Sequence, residues 1–255
     1  MDEELQSRIT FFFDFWRKRH AFISKLNLVE QRYEANVLLW GSLDALSNLW
    51  AEGIGKKECS NSGKRIIFDA FLVRYGGDVF QLVSLPDVWS RVDRGDTWID
   101  QRKGIKLPEN VFRFLSTIGG RKIYTHEDDF DMDARTTRSI LNDLRMDDII
   151  NQTLANYPNT TRSELEQWLI LSRYGAIAYK EFRNAYIHEG RPGKRAHDYK
   201  LYRWAENPTY QSWVYSTPPT MGFSVEFMLK VFQRCIEKFE DEALNLQVDP
   251  APAPD

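Results

Sequence analysis

Apolar residues recur at three- and four-residue steps along most of this chain, and that spacing predicts α-helices. The predicted helices of the N-terminal third are 3–24, 28–52 and 64–75. The second of these ends at Gly53, in the manner of a glycine C-cap. A further helix is predicted to begin near Asp78, and Pro86 should kink or break it.

The middle of the chain has a weaker pattern. Residues 93–107 are polar, contain two glycines and show no clear period, so they are predicted to form a loop. A short helix is predicted over 108–115, because proline suits a first helical turn. Helical spacing resumes over 134–154, and we therefore expect an irregular insertion at 93–135.

The C-terminal third begins with a strong helix-start signal. Thr161 and Glu164 have the spacing of a capping box, which predicts a long helix over 162–189. The other elements predicted here are a small hairpin at 211–216, a last helix over 224–246 and a disordered tail over 249–255.

Together these elements predict an all-α fold. We expect one helical domain over 1–248, built as a bundle around two long central helices, 28–52 and 162–189. A small loop or hairpin insertion would lie at its periphery. The alternative is a protein of two domains, divided near 93–135.

Composition narrows the possible functions. The chain has 34 basic and 37 acidic residues, which excludes a generally basic nucleic-acid coat but not a local basic patch. Two cysteines cannot build a disulfide framework or a cysteine-only zinc site, and no nucleotide-binding glycine motif is present, so no metal or cofactor is predicted. No apolar run approaches the roughly 18 residues of a membrane span, and the acidic N-terminus is unlike a signal peptide. A cytoplasmic protein is expected.

A polar cluster near the end of the 162–189 helix is the strongest candidate for chemistry. Arg183 lies about five helical turns after Leu165, on an otherwise apolar stripe, where a guanidinium needs a partner or an interface. A second face of the same helix carries Arg173, Ile177, Asn184 and His188. An isologous contact through that face would give a two-fold homodimer and bring two copies of the cluster together.

Arginine, an amide and histidine together suit phosphodiester chemistry. An arginine can hold a phosphate by two hydrogen bonds and offset the charge that develops on phosphorus. Histidine can move a proton to or from an oxygen near neutral pH. On spacing alone, the alternative is a structural arginine and a helix-capping histidine.

The sequence Arg183-Asn184-x-x-x-His188 resembles the Arg-x4–6-His motif of the HEPN superfamily, the higher eukaryotes and prokaryotes nucleotide-binding domain. In that family an Asn, Asp or His often follows the arginine. The surroundings are also similar: a long early helix with an acidic residue and small residues (Glu34, Ala35, Ser42, Ala45), and a late motif followed by a basic loop and one more helix. The resemblance covers about 28–75 and 161–246.

The resemblance implies a helical bundle that dimerises and acts as a metal-independent endoribonuclease of toxin or defence type. The 2′-hydroxyl of single-stranded RNA would attack the adjacent phosphate, with Arg183, Asn184 and His188 as catalytic residues. An antitoxin or defence-system protein is the partner class it implies. Some toxins of the family carry a modified tyrosine two residues after the histidine, where this chain has Gly190. The alternatives are a catalytically silent helical interaction module and a nucleotide-binding sensor.

A basic loop after the motif is predicted to position the substrate. Tyr186 together with Arg191, Lys194, Arg195 and His197 forms the predicted substrate-binding set. Lys200 and Arg203 extend the charge, and Tyr199, Tyr202 and Trp204 lie among these residues. Cations of this kind neutralise RNA phosphates and aromatic rings stack on bases. The alternative is a solvated charged loop with aromatic rings packed on the bundle.

Overall fold

The computed structural model describes residues 2–120, 140–198, 208–211 and 220–250, and this part of the chain is mostly helical, as the sequence predicts. The α-helices are α1 (Glu3–Ser24), α2 (Arg32–Glu52), α3 (Lys56–Cys59), α4 (Lys64–Phe71), α5 (Leu85–Asp93), α6 (Glu109–Leu115), α7 (Met146–Asn156), α8 (Arg162–Leu169), α9 (Tyr174–Ala178), α10 (Ala185–Glu189) and α11 (Val225–Leu246). Wider π-helical turns occupy Leu72–Gly76 and Tyr179–Asn184. Tighter 3₁₀ turns occupy Asp78–Gln81, Ile140–Asn142 and Ile170–Ser172.

Short strands complete the architecture. They are β1 (Leu82–Val83), β2 (Trp98–Asp100), β3 (Ile105–Lys106), β4 (Leu144–Arg145), β5 (Ala196–His197), β6 (Thr209–Gln211) and β7 (Thr220–Gly222). β1 pairs with β4 and β2 with β3, both antiparallel. In the third sheet β7 is central, parallel to β5 and antiparallel to β6.

Side-chain caps explain where the longest helices begin. The Asp2 carboxylate accepts a hydrogen bond from the Glu4 amide at the start of α1, and the Ser224 hydroxyl accepts one from the Phe227 amide at the start of α11. Both helices match their predicted bounds. α2 begins at Arg32, later than predicted, and ends at Glu52 as expected.

Three predictions in the middle of the chain are wrong. Pro86 breaks no helix, because it lies in the first turn of α5, where its missing N–H leaves no bond unmade. The predicted loop 93–107 contains the β2–β3 hairpin. The helix predicted from 134 starts only at Met146, after β4, and residues 121–139 lie outside the described part. That gap includes residues 121–135 of the predicted insertion 93–135.

The prediction of one long helix over 162–189 is also wrong, because the helix is interrupted at Arg173. The predicted capping box starts α8, with Thr161 and Glu164 bonded reciprocally. Arg173 is extended, with φ −72° and ψ 148°, and bridges to Val83. A new helical stretch then begins at α9 and continues through the π turn into α10. The angular relation predicted between Leu165 and Arg183 therefore does not hold.

At the C-terminal side, residues 212–216 of the predicted hairpin at 211–216 lie outside the described residues. Strands β6 and β7 of the three-stranded sheet precede and follow those residues in the sequence. Asp249, the first residue of the tail 249–255, forms an ion pair with Arg8, and residues 251–255 are not described.

Two hydrophobic clusters hold the described elements together. The larger is rich in aromatic rings and joins α1, α2, α4, the 174–189 stretch and α11. In it the Phe182 ring lies 5.2 Å from both Trp40 and Phe223, measured between centroids. The smaller cluster joins α5 to α8 and includes Leu115, Ile149 and Trp168. The chain passes from the smaller cluster to the larger at Arg173. Among the helices described, none combines the length and apolarity needed to cross a bilayer.

Candidate functional site

Arg183 lies between the α2 surface and the end of the 174–189 stretch. Its Nη2 donates to Asp44 Oδ2 of α2 at 2.7 Å, and its Nη1 donates to Asn184 Oδ1 at 2.9 Å. The guanidinium carbon also lies 5.3 Å from the centre of the Tyr179 ring. Only 17% of the Arg183 side chain and 11% of the Asp44 side chain are exposed. The sequence-based expectation that this arginine needs a partner is therefore met.

A π-helical turn carries Arg183. The turn Tyr179–Asn184 widens the helix between α9 and α10, and π turns inside α-helices are found often at functional sites. Phe182 is fully buried in the aromatic core next to Arg183. The packing thus fixes the backbone on which the guanidinium stands.

The Arg183–Asp44 pair is not fully satisfied. Within the described part of the chain, Arg183 Nε and Asp44 Oδ1 are buried and lack a hydrogen-bond partner. Buried polar atoms in folded proteins are nearly always bonded, so each exception calls for an explanation. Both atoms are closed off from solvent, so the part of this pair that a ligand could reach is the exposed 17% of the Arg183 side chain.

His188 and Asn184 differ in exposure. His188 is exposed in the last turn of α10. That helix ends at Glu189, and Gly190 follows it with a φ of 71°. Asn184 is half-buried and bonded to Arg183. No hydrogen bond or ion pair of His188 occurs among the described residues. The structure thus brings Arg183 and Asn184 into contact and leaves the histidine open to solvent one turn further along the helix.

A small apolar surface borders the motif. Ile187 is 40% exposed, and its Cδ1 would lie 3.9 Å from a Cβ built on Gly41 of α2. Tyr33 is also exposed and packs beside Gly190. The predicted dimer face needs correction, since Arg173 and Ile177 are buried. The free surface near the motif is made by α2 and α10 instead.

The predicted substrate-binding residues divide into two groups. Arg191 and Lys194 are exposed and remain open to a ligand. Tyr186 is buried and donates its hydroxyl to Asp198 Oδ2 at 2.6 Å. Arg195 bonds to Asp87 at 2.8 Å and contacts Glu181. His197 is the third inward-facing member of the set, so the structure leaves two of the five at the surface.

His197 lies in the small sheet, buried against Gly222. A Cβ on Gly222 would fall only 2.0 Å from the imidazole, so glycine is required there. Burial lowers the pKa of His197 to about 4, against the raising effects of Asp198 and of a backbone hydrogen bond with Thr209. This imidazole is therefore neutral near pH 7. Residues 199–204, which hold the rest of the predicted basic and aromatic loop, lie outside the described residues.

A buried ion pair stands at the start of the 174–189 stretch. The Asp69 carboxylate is fully buried and accepts from Arg173 Nε at 2.7 Å, from Arg173 Nη2 and from the Ala176 amide at 3.0 Å. Burial is the largest influence on the pKa of Asp69 and raises it, while Arg173 and the amide lower it. Asp69 thus caps α9 and stabilises the interruption of the helix at Arg173.

Sequence reasoning missed Asp44, although a signal exists. Asp44 is the only charged residue between Ala35 and Ala51 of a mostly apolar helix. A lone acid in such a helix needs a cationic partner. Sequence spacing could not say which arginine would supply it. Glu34, the acidic residue noted in that helix, is exposed.

Comparisons of this chain with protein-family models, with curated proteins and with solved structures found no match. The geometry of the described residues and the motif resemblance are therefore the grounds for a functional conclusion.

Proposed function

We propose that this protein is an endoribonuclease of the HEPN type, cleaving single-stranded RNA by attack of the 2′-hydroxyl on the adjacent phosphate. The observation that carries the proposal is the Arg183–Asp44 pair, held in a π turn with part of the arginine side chain exposed, five residues before the solvent-exposed His188.

Each motif residue has a distinct role in this scheme. Arg183 uses one N–H on Asp44 and one on Asn184, which leaves one hydrogen on each Nη for other groups, besides the buried Nε–H. The guanidinium would stabilise the negative charge of the phosphorane. His188 would serve as general base or acid, since it is exposed and able to reach a bound strand. Asn184 would orient Arg183.

Asp44 is best understood as a positioning residue. Its contact with Nη2 fixes the plane of the guanidinium, so that the remaining donors keep one direction. The exposed cations Arg191 and Lys194 would hold the RNA backbone next to the motif. Tyr186, Arg195 and His197 would support that loop from inside through their buried contacts.

We further propose that the active form is a two-fold homodimer. The exposed Ile187 and Tyr33 and the small Gly41 form a surface on which a second copy can approach closely. An isologous contact there would place two motifs side by side, so that an arginine and a histidine from different copies could act on one phosphate. Its cellular role would be that of a toxin or defence ribonuclease, held in check by a partner protein.

The test is cleavage of single-stranded RNA in excess chelator, with DNA of the same sequence as the control substrate. RNA should be cut to products ending in 2′,3′-cyclic phosphate or 3′-phosphate, and DNA should remain intact because it lacks the attacking hydroxyl. His188→Ala should reduce the rate by about 10²–10⁴-fold, the usual contribution of general acid–base catalysis.

Glu237→Ala is the control, since it removes an exposed side chain of α11 whose hydrogen bond is with Gln233 of the same helix and not with a motif or substrate-binding residue. It should cut RNA at the wild-type rate. Tight RNA binding without cleavage by the wild-type protein would favour a nucleotide-binding sensor. Neither binding nor cleavage would favour a silent interaction module.

A further inference from the structure

Helix α1 has aromatic residues on two opposite faces. Its inner face is buried against α2 and α11 through Ile9, Phe13, Trp16 and Ile23. Its outer face exposes three phenylalanines: 79% of Phe11, 55% of Phe15 and 57% of Phe22. Large apolar side chains that share one exposed face mark an interaction surface more often than scattered ones do.

The outer face has the spacing of a coiled-coil seam. Its members are Arg8, Phe11, Phe15, Lys18, Phe22 and Lys25. Successive members stand alternately three and four residues apart, which averages to the heptad period. Such a row forms a nearly straight stripe along the helix, suited to a second helix lying alongside it rather than to a compact loop.

We propose that this outer face pairs with the outer face of α1 in a second copy of the chain, with the two helices antiparallel. A two-fold axis between Phe15 and Lys18 puts Phe11 opposite Phe22 of the second copy. The same register puts each Phe15 opposite the Lys18 of the other copy, where a cation can lie on an aromatic ring. One register therefore matches every apolar position with an apolar or cation–π partner.

Charge favours this orientation over the parallel one. Parallel helices would place Lys18 against Lys18, with like charges in contact at the centre of the seam. The antiparallel register puts Lys25 opposite Arg8, whose charge is offset by its ion pair with Asp249. Antiparallel helix dipoles are also mutually favourable.

The area of the face sets the strength of the contact. At about 200 Å² for a whole aromatic side chain, the three rings offer roughly 400 Å² on each copy. The aliphatic stems of Lys18 and Lys25 add to this and bring the two-copy total toward the low end of stable interfaces, about 1,200 Å². The expected dimer is therefore reversible at micromolar concentration. Its residues are separate from the candidate catalytic site, so it stands independently of the proposed function.

Sedimentation velocity over low to high micromolar concentrations tests the contact. Phe15→Asp should weaken this association step by about tenfold or more, because it puts a carboxylate into the middle of the apolar seam. Leu141→Asp is the matched control, since Leu141 is 89% exposed and belongs to the 3₁₀ turn Ile140–Asn142 rather than to α1, and it should associate like the wild type. Any dimer formed through the motif surface should persist in both variants. Identical association by the wild type and Phe15→Asp would overturn the proposal.

Disulfide trapping tests the register. The native Cys59 and Cys235 are buried and should not compete. A protein with both Phe11→Cys and Phe22→Cys should form a linked dimer under mild oxidation, and neither single variant should. Linkage of the single variants would show parallel pairing and contradict the proposal. A second result would also contradict the proposal. If the wild type does not self-associate, and Phe15→Asp binds RNA or anionic vesicles more weakly than the wild type does, the face serves another partner.

Discussion

Two arginine–aspartate pairs lie ten residues apart in the same helical stretch and have opposite characters. At its start, Arg173 and the Ala176 amide together bond both oxygens of the fully buried Asp69. Near its end, Arg183 bonds one oxygen of Asp44 and leaves the other, and its own Nε, without a partner in the described part of the chain. The first pair is complete and the second is not.

The difference separates a structural ion pair from a candidate catalytic one. The Arg173 pair joins two hydrophobic clusters where the helix is interrupted, and both oxygens of its carboxylate are bonded. The Arg183 pair lies five residues before an exposed histidine, and one oxygen of its carboxylate has no partner among the described residues. Burial alone would not distinguish them, because both arginines are largely covered. The completeness of the hydrogen bonding does.

Removing Arg183 should produce the largest change. We expect Arg183→Ala to lower RNA cleavage by about 10³–10⁵-fold, the effect of losing an arginine that stabilises charge during phosphoryl transfer. Arg183→Lys should recover only part of the activity, since lysine lacks the planar fork of donors. Single-turnover cleavage rates would measure both. Wild-type cleavage rates in both variants would contradict a catalytic role for Arg183.

Removing Arg173 should instead affect stability. Arg173→Ala leaves Asp69 buried and unpaired, which should lower the free energy of unfolding by about 3–5 kcal/mol. Urea denaturation measures the change. Cleavage per folded molecule should stay close to wild type under conditions where the variant is folded. A loss of activity larger than the loss of folded protein would show that Arg173 also takes part in the chemistry.

A buried histidine, His197, and an exposed one, His188, allow a pH test of the contrast between structural and candidate catalytic groups. Because burial lowers the pKa of His197 to about 4, the unfolded chain binds a proton below about pH 6.5 that the folded chain does not. Stability should therefore fall as the pH drops from about 6.5 to about 4, by up to about 3 kcal/mol from this residue. His197→Gln should flatten the pH dependence of the unfolding free energy.

His188→Ala is the control for that measurement. It removes an exposed imidazole, so the pair of variants separates the effect of burial at His197 from the loss of any one histidine. An unchanged slope in His197→Gln would mean that this imidazole is not held neutral by the fold.

The sequence predicted much of the fold and part of the site. Helices with caps and regular spacing were found to within a few residues, as at Glu3–Ser24 and Val225–Leu246. The interruption at Arg173 was missed because its cause, the Asp69 carboxylate, comes from α4, far away in the sequence, and the nearby Gly175 is only a weak local signal. Pro86 was misinterpreted because a proline starts a helix as readily as it ends one.

For the site, the sequence identified Arg183, Asn184 and His188 as a group but could not supply the Asp44 contact, which depends on how α2 packs. It also treated the residues after the motif as one basic loop. The structure turns Arg195 and His197 inward, because Asp87 and Glu181 draw in the arginine and Gly222 makes room for the imidazole. Charge along a sequence does not show which cations are already paired.

The central claim is that the Arg183 end of the stretch supports 2′-hydroxyl chemistry, and a substrate with one such hydroxyl tests it most directly. The substrate is a pool of random-sequence DNA strands, each with a single ribonucleotide, incubated with the protein in excess chelator. We predict cleavage only on the 3′ side of the ribonucleotide, leaving a 2′,3′-cyclic phosphate or 3′-phosphate, and its loss in His188→Ala. Cuts at deoxynucleotides, or equal cleavage by wild type and His188→Ala, would contradict the account.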